Sequence, residues 1–183
     1  QGIVSIDTDV VKKVPSLYGG VEGIMKTLQG VTSNTELSSQ YSVRGGNYDE
    51  NLVYVNEIEI YRPFLVRSGQ QEGLSFTNTD LIQNIDFSAG GFQSKYGDKL
   101  SSVLDITYRT PTEFAAGVSA SLLGASANIE GRLLNNKLSA LVGMRYQNNS
   151  LLINSKDIET NTQPNFTDVQ LYLSYLINSK LSK

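Results

Sequence analysis

Tyr41-Ser-Val-Arg-Gly-Gly-Asn-Tyr-Asp-Glu-Asn-Leu-Val-Tyr-Val-Asn-Glu-Ile-Glu-Ile-Tyr61 decides the fold. It opens as a short apolar strand and bends at Arg44-Gly45-Gly46. It returns as a hairpin, Leu52–Val55 against Ile58–Tyr61, with Asn56-Glu57 at the turn. A two-residue hairpin turn favours Asn-Gly or Asp-Gly, because both central residues take positive φ. Glu in the second place is costly there, so the sequence predicts a turn of another type. Paired glycines suit positive φ or close backbone approach. Gly45-Gly46 reads as a corner between strands. A phosphate cradle would need Lys and Ser or Thr after a longer glycine spacing, then a helix, and neither follows. Glu57 and Glu59 read as a solvated strand face, with a cation site as the sharper alternative.

Downstream lies a second glycine corner, Ala89-Gly90-Gly91-Phe92, and then Tyr96-Gly97-Asp98-Lys99-Leu100-Ser101-Ser102-Val103-Leu104-Asp105-Ile106. Ile85, Phe87 and Ala89 alternate as a strand into that corner. Leu104, Ile106 and Tyr108 alternate out of it, with Val103, Asp105 and Thr107 on the other face. Asn78 or Thr79 can cap a helical turn through Gln83. Upstream, Ile3, Val4 and Ile6 suggest an edge strand. Leu17, Val21, Ile24 and Leu28 share one helical face, and Gly30 can end that helix in a left-handed conformation. Val31 to Gln40 reads as loop. So does Tyr61 to Asn78, which carries Arg62, Phe64, Arg67, Gln70 and Gln71. A loop that long in a compact domain is functional or mobile. These five residues are the candidate ligand contacts, with simple packing as the alternative.

After Pro111 the character changes. Val118, Ala120 and Leu122 alternate with serines, and Ala125, Ala127 and Ile129 with Ser126, Asn128 and Glu130. Asn135-Asn136 marks a turn. Leu138 to Gln147 and Asp168 to Asn178 continue the period of two. The later strands run roughly nine to eleven residues, the length a membrane-spanning strand needs. Apolar residues on one side and polar ones on the other fit strands between lipid and lumen. A soluble meander with one wet face has the same period. Strand length, small residues on the polar side and Tyr near the strand ends favour the membrane.

Composition narrows the chemistry. The chain of 183 residues has no Cys and no His. That removes disulfides, thiolate metal sites, a Cys nucleophile and the Ser-His-Asp triad. No acid pair is placed for catalysis, so the chain is expected not to be an enzyme, and neither cofactor nor metal is expected. Net charge is −3 without a basic run, which argues against a nucleic-acid partner. Gln1-Gly-Ile-Val shows no signal peptide, and no apolar run approaches the ~20 residues of a membrane helix.

These pieces resemble TonB-dependent outer-membrane receptors of the Bacteroidetes type. Val14-Pro15-Ser16 leads to Ile24-Met-Lys-Thr-Leu-Gln-Gly-Val31, similar to the family's helix and Leu-Pro-Gly-Val-like turn, with Gln29 in place of Pro. Tyr41 to Gly46 matches the family's Arg-Gly-Gly corner. Leu52 to Ile60 matches the hairpin usually turned by Asp-Gly. Gly90 to Ile106 matches the closing strand and is the most specific piece.

The resemblance implies an α+β plug domain over residues 1–112, a small mixed sheet with short helices. Residues 113–183 would be the first antiparallel strands of an incomplete transmembrane β-barrel. It implies a bacterial outer-membrane location and import of a scarce nutrient: a siderophore, cobalamin, a glycan or a peptide. Partners would be TonB, through a box not present here, the rest of the barrel, the extracellular ligand and a surface lipoprotein. Arg44 would latch plug to barrel carboxylates, and Gly45, Gly46, Gly90, Gly91 and Gly97 would be structural turns. The loop at 62–78 would face substrate. The chain is expected to be a fragment, since some seventy residues cannot close a barrel and open edges favour association. A secreted or periplasmic β-rich ligand-binding or adhesion module is the alternative.

Overall fold

The computed structural model describes residues 2–8, 21–33, 40–61, 63, 67–68, 71–72, 76–97, 100–122, 124–148, 165–178 and 181–182. The chain divides into two compact units, Gln1–Tyr108 and Arg109–Lys183.

The first unit is built on a five-stranded mixed sheet. Its strands are β1 (Ile3–Ile6), β4 (Asn51–Val55), β5 (Ile58–Glu59), β8 (Ile82–Ser88) and β9 (Ser102–Tyr108), in the order β1-β8-β9-β4-β5. β4 and β9 run parallel, with Leu52 opposite Val103 and Val55 opposite Ile106; the other pairs are antiparallel. A parallel pair in the middle of a sheet is covered on both faces, so its sequence reads as a near-continuous apolar run. That explains Leu-Val-Tyr-Val and Val-Leu-Asp-Ile. Leu52, Val103, Leu104, Ile106, Ile85 and Phe87 are each at most 2% exposed. Burying each such side chain is worth about 1.5–3 kcal/mol.

Helix α1 (Val21–Met25) ends before Leu28, the last residue of the expected face. Val21, Ile24 and Met25 are buried, as the helical face requires. Leu17 lies outside the described residues. The helix stops because Thr27 N–H and Thr27 Oγ1 both donate to Ile24 O, at 2.8 and 2.7 Å. Gly30 then takes φ +80°, the left-handed conformation expected of it. The segment read as loop from Val31 begins instead with β2 (Val31–Thr32), which pairs antiparallel with β3 (Ser42–Val43). Asn78 caps a single 3-10 turn, Thr79–Leu81, its side chain accepting from Asp80 N–H at 3.0 Å.

The β4–β5 turn corrects the sequence reading. Asn56 and Glu57 both have positive φ, 50° and 66°, so the turn does adopt the geometry in which Glu is disfavoured. Contacts with β9 hold it. Asn56 N–H donates to Ile106 O at 2.9 Å, and Asn56 Oδ1 accepts from Tyr108 N–H at 2.8 Å. The turn thus extends the β4–β9 ladder by one step. Asn tolerates the left-handed region well, and Glu57 follows it.

The second unit is a sheet of β10 (Ala115–Ser121), β11 (Gly124–Leu133), β12 (Leu138–Asn148), β13 (Asn165–Asn178) and β14 (Leu181–Ser182), antiparallel in sequence order. Leu134, Asn135 and Asn136, all with positive φ, turn β11 into β12. The registers sort side chains into rows across the sheet. Val118, Ala127, Met144 and Val169 form one row, and Ala116, Ile129, Val142 and Leu171 the next. On the opposite face Ser119, Ser126, Arg145 and Asp168 line up. The apolar rows are the exposed ones: Val118 is 84% exposed, Val169 65% and Leu171 63%. Water-soluble sheets bury this face. Here it is turned outward, the pattern of strands that face lipid.

Candidate functional site

The glycine corners of the first unit converge on one arginine. Arg44 itself has φ +50°, followed by Gly45 at +81°. Arg44 N–H donates to Gly30 O at 2.8 Å, and Gly46 N–H closes the corner on Val43 O at 2.9 Å. The side chain passes Gly30 and ends at Gly90. Its Cγ lies 3.6 Å from the point where a Gly30 Cβ would stand, and Nη1 lies 3.3 Å from the same point at Gly90. Gly90 and Gly91 have φ +81° and +66°. Three corners far apart in sequence therefore meet along one side chain. Arg44 is exposed, and among the described residues no carboxylate lies within ion-pair distance of it.

Gly46 answers to a different constraint. A Cβ there would stand 1.8 Å from Ser101 Oγ and 2.8 Å from Glu50 Oε2. Ser101 Oγ donates to Glu50 Oε2 at 2.7 Å, and Ser102 Oγ donates to Asn51 Oδ1 at 2.7 Å. Asn51 Nδ2 in turn donates to Tyr41 O at 2.8 Å. The Arg-Gly-Gly corner and the Leu-Ser-Ser motif are thus two halves of one joint, where β4 and β9 start side by side. Gly97 has neither positive φ nor a close neighbour, so the structure shows no need for glycine there.

One polar row crosses the central sheet: Ser5, Asp86, Asp105, Tyr54 and Glu59 are successive cross-strand partners. Directly opposed carboxylates repel. Around Asp105 the repulsion is offset by Tyr96, whose hydroxyl donates to Asp105 Oδ2, and by Lys95 at 3.5 Å. Asn84 Nδ2 donates to Asp86 Oδ2 at 2.9 Å. Lys95 also sits 4.5 Å over the Tyr96 ring, which meets Tyr54 edge-on at 5.1 Å. Burial, then the bond to Asp105, pushes the Tyr96 phenol above its usual range; the hydrogen bond with Tyr96 is the main cause holding Lys95 above its own. The cavity beside this cluster is about 100 Å³, small against the ~300–1,000 Å³ of small-molecule sites. The row braces the sheet. Among the described residues no group of three or more His, Cys, Asp or Glu is placed to hold a metal.

Described parts of the stretch from Tyr61 to Asn78 are paired, where the sequence reads as loop. Phe76 N–H donates to Pro63 O at 2.7 Å and closes the base of the excursion. Inside it β6 (Arg67–Ser68) pairs with β7 (Gln71–Glu72), setting Arg67 opposite Glu72 and Ser68 opposite Gln71. Arg67 and Gln71 therefore belong to one small ladder. Arg62, Phe64 and Gln70 lie outside the described residues.

On the polar face of the second unit Arg145 grips Asp168 with two hydrogen bonds, Nε–Oδ1 at 2.7 Å and Nη2–Oδ2 at 3.0 Å. Gln170 Nε2 adds a third contact to Asp168 Oδ2 at 3.1 Å. Both charged side chains are only 13% exposed. A paired charge is the form in which a largely buried arginine is tolerated. The sequence signal was the alternation that puts Arg145 and Asp168 on the polar side. Their pairing needed the register.

The first unit is thus a mixed sheet with glycine corners, and the second an antiparallel sheet with one exposed apolar face. The TonB-dependent Receptor Plug Domain model matches residues 3–103, more than half of the 183. The chain belongs to the TonB-dependent receptor plug family, a family of receptors and transporters.

Solved structures carry the same fold. The siderophore receptor PirA from Acinetobacter baumannii matches with a TM-score of 0.68 at 17% identity, covering 97% of this chain and 30% of that one. PirA from Pseudomonas aeruginosa gives 0.66 at 17%, covering 97% and 33%. The outer membrane transporter YddB from Escherichia coli gives 0.64 at 11%, covering 97% and 31%. At these identities the likeness is one of fold. The chain spans about a third of the length of these structures. No curated protein matches it.

Proposed function

We propose that this chain is the plug and first wall of a Bacteroidetes-type TonB-dependent receptor that imports a scarce nutrient across the bacterial outer membrane. Residues 1–112 are the plug domain and residues 113–183 the first barrel strands. The observation that carries the reading is the pairing of a family plug with a sheet whose exposed rows are apolar. A secreted or periplasmic module would leave Val169, Leu171 and Leu173 in water, where large contiguous apolar patches are rare.

In this reading TonB and a surface lipoprotein are the partners, and ligand binds from outside. Arg62, Phe64, Arg67, Gln70 and Gln71 form the ligand-facing loop, which carries the short β6–β7 ladder. Arg44 pairs with barrel carboxylates outside the described residues; its exposure and its span from Gly30 to Gly90 support that role. Pulling Arg44 off its partners would then loosen three corners at once. The names of the solved neighbours make an iron chelate the first ligand to try, ahead of cobalamin, glycan and peptide.

The test is uptake of radioactive iron chelates by cells carrying the full receptor, with and without TonB. TonB-dependent uptake that falls in Arg67→Ala while the receptor stays in the outer membrane supports the reading. Failure to take up every ligand class, with the receptor correctly inserted, removes it.

A further inference from the structure

The exposed apolar face of the second unit carries two levels marked by tyrosine. Tyr146 shares a cross-strand row with Ala120, Ala125 and Thr167, and Tyr175 shares one with Leu133 and Leu138. Both tyrosines are exposed. From Leu138 to Tyr146, β12 rises about 27 Å at ~3.4 Å per residue. At the ~35–45° tilt of barrel strands this is about 19–22 Å of height, close to the ~25 Å apolar band that aromatic girdles bound. The two rows therefore fit the two membrane boundaries. Residues 149–164 join β12 to β13 at the Tyr146 end. Long connections face outward and short turns face the periplasm, so the Tyr175 end is the periplasmic one.

One row inside the Tyr175 boundary the face dips. Gly131 and Ala140 are cross-strand partners there. Phe114 leans on Gly131, its Cδ2 3.4 Å from the point where a Cβ would stand. With Ile129, Leu133 and Val142 these residues line a dimple of about 200 Å³ whose surface is almost wholly apolar. An apolar cavity of ~150 Å³ stays dry and takes up benzene, so this one has the size and character for hydrocarbon. Its walls do not depend on where the sheet ends. β11 and β12 are each paired on both sides. The approach of Phe114 is fixed by the Pro111 carbonyl, which accepts from Arg132 Nε at 2.9 Å and Ser139 Oγ at 3.3 Å. A further strand beside β10 would lie on its far side and leave the dimple unchanged.

A positive charge stands just past the boundary. Lys137 closes the β11–β12 turn, three residues before Ala140 and so within about 10 Å of it along the strand. It is exposed, and among the described residues no carboxylate lies within ion-pair distance of it. Its level is that of lipid headgroups, while the dimple lies at the level of the chains.

We propose that the dimple seats one acyl chain of an anionic glycerophospholipid whose phosphate rests at Lys137. The site rests on the reading above, in which these strands are the wall of an outer-membrane barrel; the periplasmic leaflet of that membrane is built of such lipids. The chain gains nothing by leaving water, since it is already in hydrocarbon. It gains contact, because walls that face a void lose dispersion on that side. Lys137 then selects the headgroup.

The experiment is photolabelling of the full receptor in bilayers with phosphatidylglycerol that carries a diazirine on one acyl chain. Adducts are mapped by mass spectrometry as the probe's mole fraction rises. Val118 and Val169, two exposed residues of the same face, should label in proportion to the probe. Ile129 and Val142 should saturate at low mole fraction. Ala140→Leu, which fills the dimple and stays apolar, should abolish the saturable part. Lys137→Gln should raise the half-saturating fraction about fivefold, the weight of one Lys at an anionic surface. Proportional labelling of Ile129 and Val142 in the unaltered receptor overturns the proposal, as does saturation that survives Ala140→Leu or is unmoved by Lys137→Gln. Should Ala140→Leu not insert, competition in the unaltered receptor decides: unlabelled phosphatidylglycerol should displace the probe, and lipid A that displaces it equally well overturns the proposal. The labelling needs no transport. An inserted receptor that imports nothing would remove the functional reading and leave this measurement standing.

Discussion

Gly46→Ala is the substitution whose effect the structure fixes most closely. The new methyl would stand 1.8 Å from Ser101 Oγ, 2.9 Å from Ser101 Cβ and 2.8 Å from Glu50 Oε2. Torsion is not the obstacle, because Gly46 lacks the positive φ of Gly45. Rotating Ser101 aside breaks its 2.7 Å bond to Glu50, about 1.5–3 kcal/mol for a charged acceptor and nearer the low end for an exposed one. The remaining 2.9 Å contact forces the start of β9 to move, and overpacking of this kind costs about 1–3 kcal/mol. The sum, about 3–5 kcal/mol, is a large part of the ~5–15 kcal/mol that holds a domain together. At ~1.4 kcal/mol per factor of ten, protection of β4 and β9 amides against hydrogen exchange should drop by about two to three and a half orders of magnitude. Ser101→Gly removes both serine contacts and leaves, of the three nearest atoms, the flexible carboxylate of Glu50. In that background Gly46→Ala should cost less than about 1 kcal/mol. Equal losses in the two backgrounds would refute the joint between the Arg-Gly-Gly and Leu-Ser-Ser motifs.

Three further outcomes are expected. Glu57→Gly relieves a residue at φ +66° and should stabilise the first unit by about 0.5–1 kcal/mol after the added freedom of the unfolded chain, read as a higher denaturation midpoint; a lower midpoint would contradict the strained turn. Leu171→Arg puts a charge on the exposed apolar face and should lower folding stability in bilayers by about 2–4 kcal/mol near mid-membrane, while Gln170→Arg on the other face should change it little. Tyr96 and Lys95 both have folded pKa values above their ordinary 10.0 and 10.5. The folded state therefore keeps protons that the unfolded chain has already released. Their contribution is whole below about pH 10 and is lost as pH rises through the folded values; Tyr96→Phe should flatten that alkaline decline, and an unchanged slope would exclude Tyr96 as its source.

Local patterns in the sequence were enough to find the longer strands, which alternate with period two or run apolar between Gly, Asn or Pro. The helix face at Val21 and Ile24, the caps at Gly30 and Asn78 and the corners at Gly45 and Gly90 follow from single-residue chemistry. Long-range partners were not visible. Nothing near Glu57 announces that Asn56 will be held by Tyr108 and Ile106. Nothing near Arg44 announces that its side chain will run past Gly30 to Gly90. The pairing of Val31–Thr32 with Ser42–Val43 has too few residues for a period to emerge. The same is true of Arg67–Ser68 with Gln71–Glu72, hidden in a stretch that reads as loop.

The outward turn of the apolar rows in β10 to β13 also says where the information for this half of the chain resides. Its strands hold register through backbone ladders and a few polar ties on one face. The other face is specified only as compatible with hydrocarbon. The same residues in water would gain by turning over and closing on themselves, or on one another, so the surrounding medium chooses which side is the interior. In the receptor reading its folding is thereby coupled to delivery: the solvent has to arrive with the chain, and the bilayer would serve as a component of the native state in the way a core does for the first unit.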